Sequence, residues 1–263
     1  MSHAVARLRA ERLARSVRPF NARGSRIPRC PQCRVAFAYC LCAWRPQVSS
    51  QSGVCLLMYD TEPMKPSNTG WLIADIVDAT AAFGWSRTEP DPAIERLLND
   101  PQWQPFIVFP GEYAEPQRVV DQVQLDPGRR PLFVLLDATW MEARKMFRKS
   151  PYLDRFPVLS LQPEQLSRYG LRRSKNAEHL CTAEVAALCL ELAGEQRVAA
   201  ALDAYLDVFT EHYLAAKRNQ RLDLESPAHD ALKPFLAPCV PLVLARGQSC
   251  ASSMPANISA QPK

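Results

Sequence analysis

The sequence predicts an α/β protein with a mainly parallel sheet and flanking helices, and three observations predict it. Four short apolar runs, Val54 to Tyr59, Phe106 to Phe109, Leu132 to Leu136 and Val158 to Leu161, are bounded by Pro, Gly or Asp, as buried strands are. Helical stretches lie between most of them, and that alternation implies crossover connections between parallel strands. At 263 residues and 47% hydrophobic content, the chain can hold one sizeable core plus appendages.

The elements follow in order. Over residues 3 to 18, Val5, Leu8, Leu13 and Val17 share one helical face while arginines cover the rest, so residues 1–28 read as a basic helical extension. Residues 29–45 contain Cys30, Cys33, Cys40 and Cys42 as C-x2-C-x6-C-x-C, the compact pattern of a closed structural zinc site. Four reduced thiols in a surface knot are the alternative, and Arg29 and Arg34 would offset thiolate charge in either case. The other five cysteines have no such spacing and read as core or tail residues.

Residues 53–219 form the α/β domain. After the first strand, Trp71 to Phe83 carries apolar residues on several faces and predicts a helix stopping at Gly84, with Asn68 or Thr69 as N-cap. The third apolar run delivers Asp137 to its carboxyl end, where open α/β sheets bind ligands; Asp137 also stands where it would cap the helix Met141 to Lys149. Thr182 to Ala193 and Gln196 to Asn219 complete the helices, the latter with Val198, Leu202, Tyr205, Phe209 and Tyr213 as a core stripe. Residues 220–263 read as a tail, disordered over about its last fifteen positions.

Several classes drop out. No apolar stretch reaches the roughly 18 residues of a membrane span, and no secretory h-region follows the N-terminus, so a cytoplasmic protein with no membrane partner is expected. The Arg-rich residues 1–28 also resemble a mitochondrial transit peptide. None of the nine glycines forms G-x-G, which removes the dinucleotide fingerprint and the Walker A loop. The four histidines show no metal spacing, and no G-x-S-x-G elbow exists. A phosphatase with an aspartyl nucleophile wants a second Asp two residues on, where Thr139 stands.

The net charge of +5 conceals segregation. Residues 1–35 carry nine Arg against one Glu, and residues 141–175 carry nine Lys or Arg against three acids. The remaining segments are net acidic. Two basic blocks on one side would form the footprint of a polyanion site, with Arg7, Arg9 and Arg12 from the first and Arg144, Lys145, Arg172 and Arg173 from the second.

Three polar clusters punctuate the sheet: Glu62-Pro-Met-Lys-Pro-Ser-Asn-Thr-Gly70, Asp137-Ala-Thr-Trp140, and Tyr169-Gly-Leu-Arg172 running on to Leu180-Cys-Thr-Ala-Glu184. With the cysteine spacing ahead of them, the set resembles the DTW-domain family over roughly residues 26 to 215. The resemblance implies a SPOUT-like, knotted fold with an N-terminal zinc knuckle. It further implies a tRNA-uridine aminocarboxypropyltransferase that takes S-adenosylmethionine as donor and modifies N3 of a variable-loop uridine, releasing methylthioadenosine. Ala138, Cys181 and Val185 depart from the family's commoner Gly, Ser and Ala.

On that reading Asp137 is the candidate general base for N3, because a carboxylate can accept the proton that lies between two carbonyls. Trp140 offers a stacking face or sits in the core. Thr139 and Thr182 bind the donor or cap helices, and Asn68 and Thr69 hold donor or uridine or act as caps. Pro110 and Gly111 allow close backbone approach. Glu184 binds the donor's amino group or stabilises its helix start, while Arg172 and Arg173 face tRNA phosphate or the donor carboxylate. Two other readings remain open: a SPOUT-like RNA methyltransferase, and a non-catalytic zinc-knuckle RNA-binding protein. The sequence leaves the oligomeric state open.

Overall fold

The computed structural model describes residues 2–17, 27–161 and 180–237. Six parallel strands form one sheet: β1 (Gly53–Met58), β2 (Thr80–Gly84), β3 (Trp103–Val108), β4 (Val119–Val120), β5 (Arg130–Asp137) and β6 (Val158–Leu159), in the order β2-β1-β5-β3-β6-β4. The expected mainly parallel sheet is therefore present. Among the described residues no helix is long and apolar enough to cross a membrane.

Every residue of β1 is buried, as in a sheet covered on both faces. Alternation along the central strands separates two cores. Val54, Leu56 and Met58 join Phe133 and Leu135 on one face; Cys55 and Leu57 join Leu132 and Val134 on the other. The first face is covered by α1 (Ala4–Ala14), α2 (Gly70–Ile76), α5 (Thr182–Leu192) and α6 (Gln196–Arg218), and the second by α3 (Pro92–Leu98) and α4 (Trp140–Arg148). The α6 stripe lies where expected: Val198, Leu202, Tyr205 and Phe209 are buried, with Tyr213 packed against them.

The helix expected over Trp71 to Phe83 is instead two elements. Helix α2 ends at Ile76, Val77 turns extended, and Thr80–Gly84 becomes edge strand β2. Burial of nearly the whole of α2 produces apolar residues on several faces, which removes the periodicity that would have marked its end. Helix α1 stops at Ala14 rather than near residue 18. Helix α3 was not foreseen, although its Asp91 cap accepts from the Ala93 N–H at 2.8 Å.

The stretch read as the start of a tail contains α7 (Pro227–Leu232), whose Leu232 is fully buried. A chain of polar contacts ties α7 to the knuckle. His229 Nδ1 meets Ser226 Oγ at 2.8 Å, His229 Nε2 meets His212 Nε2 at 3.0 Å, and His212 Nδ1 meets the Tyr39 carbonyl at 2.9 Å. The knot implied by the resemblance depends on the chain path through 162–179, outside the described residues, as are Arg172, Arg173 and positions 238–263.

Candidate active site and cysteine knuckle

Register places the site. Met58, the last residue of β1, pairs with Asp137, the last of β5, and the Tyr59 N–H donates to the Asp137 carbonyl at 3.0 Å. The loop after β1 therefore lies beside the Asp137 side chain, at the carboxyl edge of the sheet. Asp137 is 4% exposed. Its Oδ2 accepts from Asn68 Nδ2 at 2.7 Å and its Oδ1 accepts from the Thr182 hydroxyl at 2.7 Å. Burial pushes Asp137 up to about 6; the Asn68 and Thr182 bonds and Lys65 oppose the rise, while Glu62 adds to it.

Asn68 caps no helix in the usual position, yet its Oδ1 accepts the Trp71 N–H at 3.2 Å in the first turn of α2. Gly70 is required by contact: a Cβ there would lie 2.8 Å from Asp137 Oδ2 and 3.2 Å from Asn68 Oδ1. Glu62 and Lys65, which sequence reasoning quoted in the loop without assigning a role, form an ion pair beside this carboxylate. Asp137 does not cap α4. That position belongs to Thr139, whose N–H donates to Glu142 Oε2 at 3.0 Å.

The remaining candidates divide. Thr69 and Glu184 lie with Thr182: the Thr69 hydroxyl accepts the Ala183 N–H at 3.3 Å, and Glu184 Oε2 accepts the Cys181 N–H at 2.7 Å. Both therefore already serve the start of α5. The Gly111 N–H donates to Ser160 Oγ at 3.0 Å, and a Cβ at Gly111 would strike Val119 Cγ1 at 2.8 Å. That glycine is explained by packing against β4 and the strand next to it.

Trp140 is 40% exposed, so it is not a core residue. It stacks on Phe109 at 5.6 Å between centroids, Phe109 stacks on Phe147 at 4.5 Å, and Tyr113 meets Trp140 edge-on. Arg144 lies over Tyr113 at 4.8 Å, and Lys145 lies over Trp85 at 5.8 Å and Tyr59 at 6.0 Å. The two basic candidates on α4 are thus held against aromatic rings near the Asp137 edge. Sequence reasoning missed Tyr59, Trp85, Phe109 and Tyr113; the first three stand just after strand ends, which was the available signal.

Cys30, Cys33, Cys40 and Cys42 place their sulfurs within 4.8 Å of one another. Cys30 to Cys42 is 3.6 Å and Cys33 to Cys40 is 3.8 Å. A tetrahedral Zn–S length near 2.3 Å implies sulfurs about 3.8 Å apart, so the four residues fit zinc. Burial raises the Cys30 thiol, but the Cys33 and Gln32 backbone N–H groups and the neighbouring thiols bring it down to about 7. The turn is closed by Arg34 N–H to the Cys30 carbonyl at 2.9 Å, with Arg34 at φ 66. Val35 and Leu41 are fully buried against the first core face.

The N-terminal candidates differ among themselves. Arg12 grips Asp60 through two bonds of 2.6 and 2.8 Å, and Arg7 donates to the Ser2 carbonyl at 2.5 Å. Among the described residues Arg9 forms neither kind of contact, and its Nε is buried without a hydrogen-bond partner there.

The chain matches the DTW domain over residues 27–214. It is also similar to the tRNA-uridine aminocarboxypropyltransferase 2 of Drosophila melanogaster, with 27% identity over 177 residues, covering 63% of this chain and 66% of that protein. The chain thus spans just under two thirds of that relative's length. No solved structure matches it.

Proposed function

The chain belongs to the DTW domain family, and from that premise we propose that it is a tRNA-uridine aminocarboxypropyltransferase. It moves the 3-amino-3-carboxypropyl group of S-adenosylmethionine to N3 of a variable-loop uridine. The relative's activity supports the reaction class. The observation that carries the reading for this chain is Asp137, a carboxylate at the sheet's carboxyl edge held by Asn68 and Thr182.

The donor supplies a sulfonium, already a good leaving group, so the protein's contribution is alignment and proton removal. Asp137 is ionised above about pH 6 and accepts the N3 proton as nitrogen bonds to the methionine γ-carbon and the carbon–sulfur bond breaks. Asn68 and Thr182 keep the carboxylate oriented; Thr69, Glu184, Pro110, Gly111, Thr139 and Trp140 surround the edge where the donor and uracil meet. Trp140 gives a base a face to stack on. Residues 53–219 carry the transfer, and the basic extension 1–28 and knuckle 29–45 grip tRNA with Arg144, Lys145, Arg172 and Arg173. Structural zinc fills the knuckle. A cytoplasmic setting, where thiols stay reduced, suits both the knuckle and the substrate.

The test is incubation of purified protein with unmodified tRNA and S-adenosylmethionine, followed by mass spectrometry of the nucleosides and the small-molecule product. A uridine gain of about 101 Da with methylthioadenosine supports attack at the γ-carbon, whereas about 14 Da with S-adenosylhomocysteine means methyl transfer. Binding of tRNA without donor consumption would leave a non-catalytic RNA-binding protein.

A further inference from the structure

Two aromatic residues follow the ends of neighbouring strands and stack on each other at the edge that carries Asp137. The Trp85 N–H, just after β2, donates to the Met58 carbonyl at 2.8 Å, and the Tyr59 N–H, just after β1, donates to the Asp137 carbonyl at 3.0 Å. Their rings lie 5.8 Å apart between centroids and 20° from parallel. Lys145 of α4 holds its ammonium 6.0 Å from the Tyr59 centroid and 5.8 Å from that of Trp85. Both aromatic residues are half-buried and Lys145 is exposed, so the group reaches solvent. The proposed chemistry uses neither ring.

Trp85 is fixed through its Nε1, which donates to the buried Ser150 Oγ at 2.9 Å, so the platform is set before any ligand arrives. Between residues 140 and 149 four cations, Arg144, Lys145, Arg148 and Lys149, are exposed against one acid, Glu142, and that acid is engaged by the Thr139 N–H. Stacked rings edged by cations suit a single strand of nucleic acid, whose bases stack and whose phosphates pair with the cations. An acidic peptide would need the cations but not the rings. Lys145 is a weak occupant of the platform, because an exposed ammonium some 6 Å from a ring gains less than a base stacked on it. It can leave the rings for a phosphate as a base takes its place.

We propose that Tyr59, Trp85 and Lys145 form a stacking station for the nucleotide next to the uridine that meets Asp137. The presence of that uridine rests on the function proposed above; the station's chemistry does not. Strands β2, β1 and β5 are adjacent, and neighbouring strands lie about 4.8 Å apart, so the platform begins one strand away from Asp137. That is too close for a separate arm of the tRNA. Asp137 follows Phe133 and Leu135 on the first face, where Asn68 and Thr182 hold it, whereas Tyr59 and Trp85 pack against the second core. The target base and its neighbour are therefore splayed across the rim of the sheet, which unstacks them and opens N3 to the carboxylate.

The experiment is fluorescence anisotropy of a labelled, unmodified tRNA transcript on the full-length protein across a salt series, with ultraviolet crosslinks in the same complex mapped to residue and nucleotide by mass spectrometry. Y59L and W85L are expected to weaken binding about tenfold while Y59F and W85F, which keep a ring, bind like wild type. K145Q should lower the slope of log affinity against log salt by about one. R130Q is the matched control, because Arg130 also lies over an aromatic ring, Trp103 at 4.7 Å, but at the start of β5 on the opposite edge; its binding should not change. In the wild type, crosslinks from Tyr59 or Trp85 to a nucleotide adjoining the variable-loop target uridine are expected. Crosslinks from these residues only to distant nucleotides, or none from either, overturn the proposal. Equal losses in W85F and W85L also overturn it, since both lack the bond to Ser150 and only one lacks a ring. So does a loss in K145Q with Y59L and W85L at wild-type affinity, which leaves charge alone. Transfer is read separately: normal transfer without those crosslinks removes the station and keeps the transferase, and the crosslinks without transfer do the reverse.

Discussion

Asn68 donates to Asp137 Oδ2 at 2.7 Å while its own Oδ1 accepts the Trp71 N–H at 3.2 Å. The first turn of α2 therefore fixes which end of the amide faces the carboxylate. With Thr182 on the other oxygen, Asp137 is held from two elements distant in sequence, and each oxygen keeps a further lone pair for a substrate proton.

Replacing Asp137 by Asn removes the base without changing the shape. Turnover should fall by roughly 10²–10⁴-fold, with tRNA affinity little changed because the phosphate contacts lie elsewhere. Single-turnover rates and anisotropy on the same preparation check this, and full activity in the variant would end the general-base assignment.

A pH profile tests the shell. Asp137 must be ionised to act, so the transfer rate should decline below about pH 6 with the slope of one proton. Asn68→Ala and Thr182→Val each remove a bond that favours the charged form, so each should move that limb upward. The stability sign is opposite to that of a salt-bridged Asp: the raised group favours folding at low pH, and its contribution is lost as pH climbs from about 4 to about 6. Asp137→Asn should abolish that part of the pH dependence of melting.

Gly70→Ala adds one methyl 2.8 Å from Asp137 Oδ2. The carboxylate must move, and a displacement of about 1 Å at a reacting group costs on the order of 100-fold in rate. Circular dichroism should stay native while the rate falls; unchanged rates would mean the edge yields without consequence.

Zinc removal should loosen the knuckle and what packs on it, including Val35 and Leu41. A loss of about 3 kcal/mol would lower Tm by roughly 6–12 °C for a chain of this size. Chelation followed by calorimetry reads it directly, and Cys30→Ser should reproduce it.

Arg45 supports a second buried acid. Its Nη2 lies 2.6 Å from Asp75 Oδ1, and Tyr205 donates to Oδ2 at 3.0 Å. Burial raises Asp75 to about 6 in spite of both partners. Arg45→Ala leaves that carboxylate with the Tyr205 hydroxyl but without its cation and should cost roughly 2 kcal/mol, discounted because Arg45 is partly exposed. The cost should be largest near pH 8 and shrink toward pH 5, where Asp75 takes up a proton; urea melts at the two pH values check it.

Asp137 was legible because an apolar run ends abruptly on an acid, and the knuckle because cysteine spacing encodes metal geometry. The partners of Asp137 were legible as types but not as contacts. Which side chains meet it depends on the pairing of Met58 with Asp137, set by the insertion of β5 between β1 and β3. Arg12 illustrates the same gap: the sequence showed its charge but not Asp60, which the fold sets against it. The end of α2 was hidden because Val77-Asp78-Ala79 contains neither Gly nor Pro.

The place of β5 between β1 and β3 also sets an order of events at the ribosome. A growing chain that has emerged as far as residue 110 holds β1, β2 and β3 but lacks the strand that joins them. Until residues 130–137 follow, β1 and β3 each present an apolar edge, the condition that invites mispairing between neighbouring chains. The Asp137 carboxylate waits longer still, because its Thr182 partner is made 45 residues later.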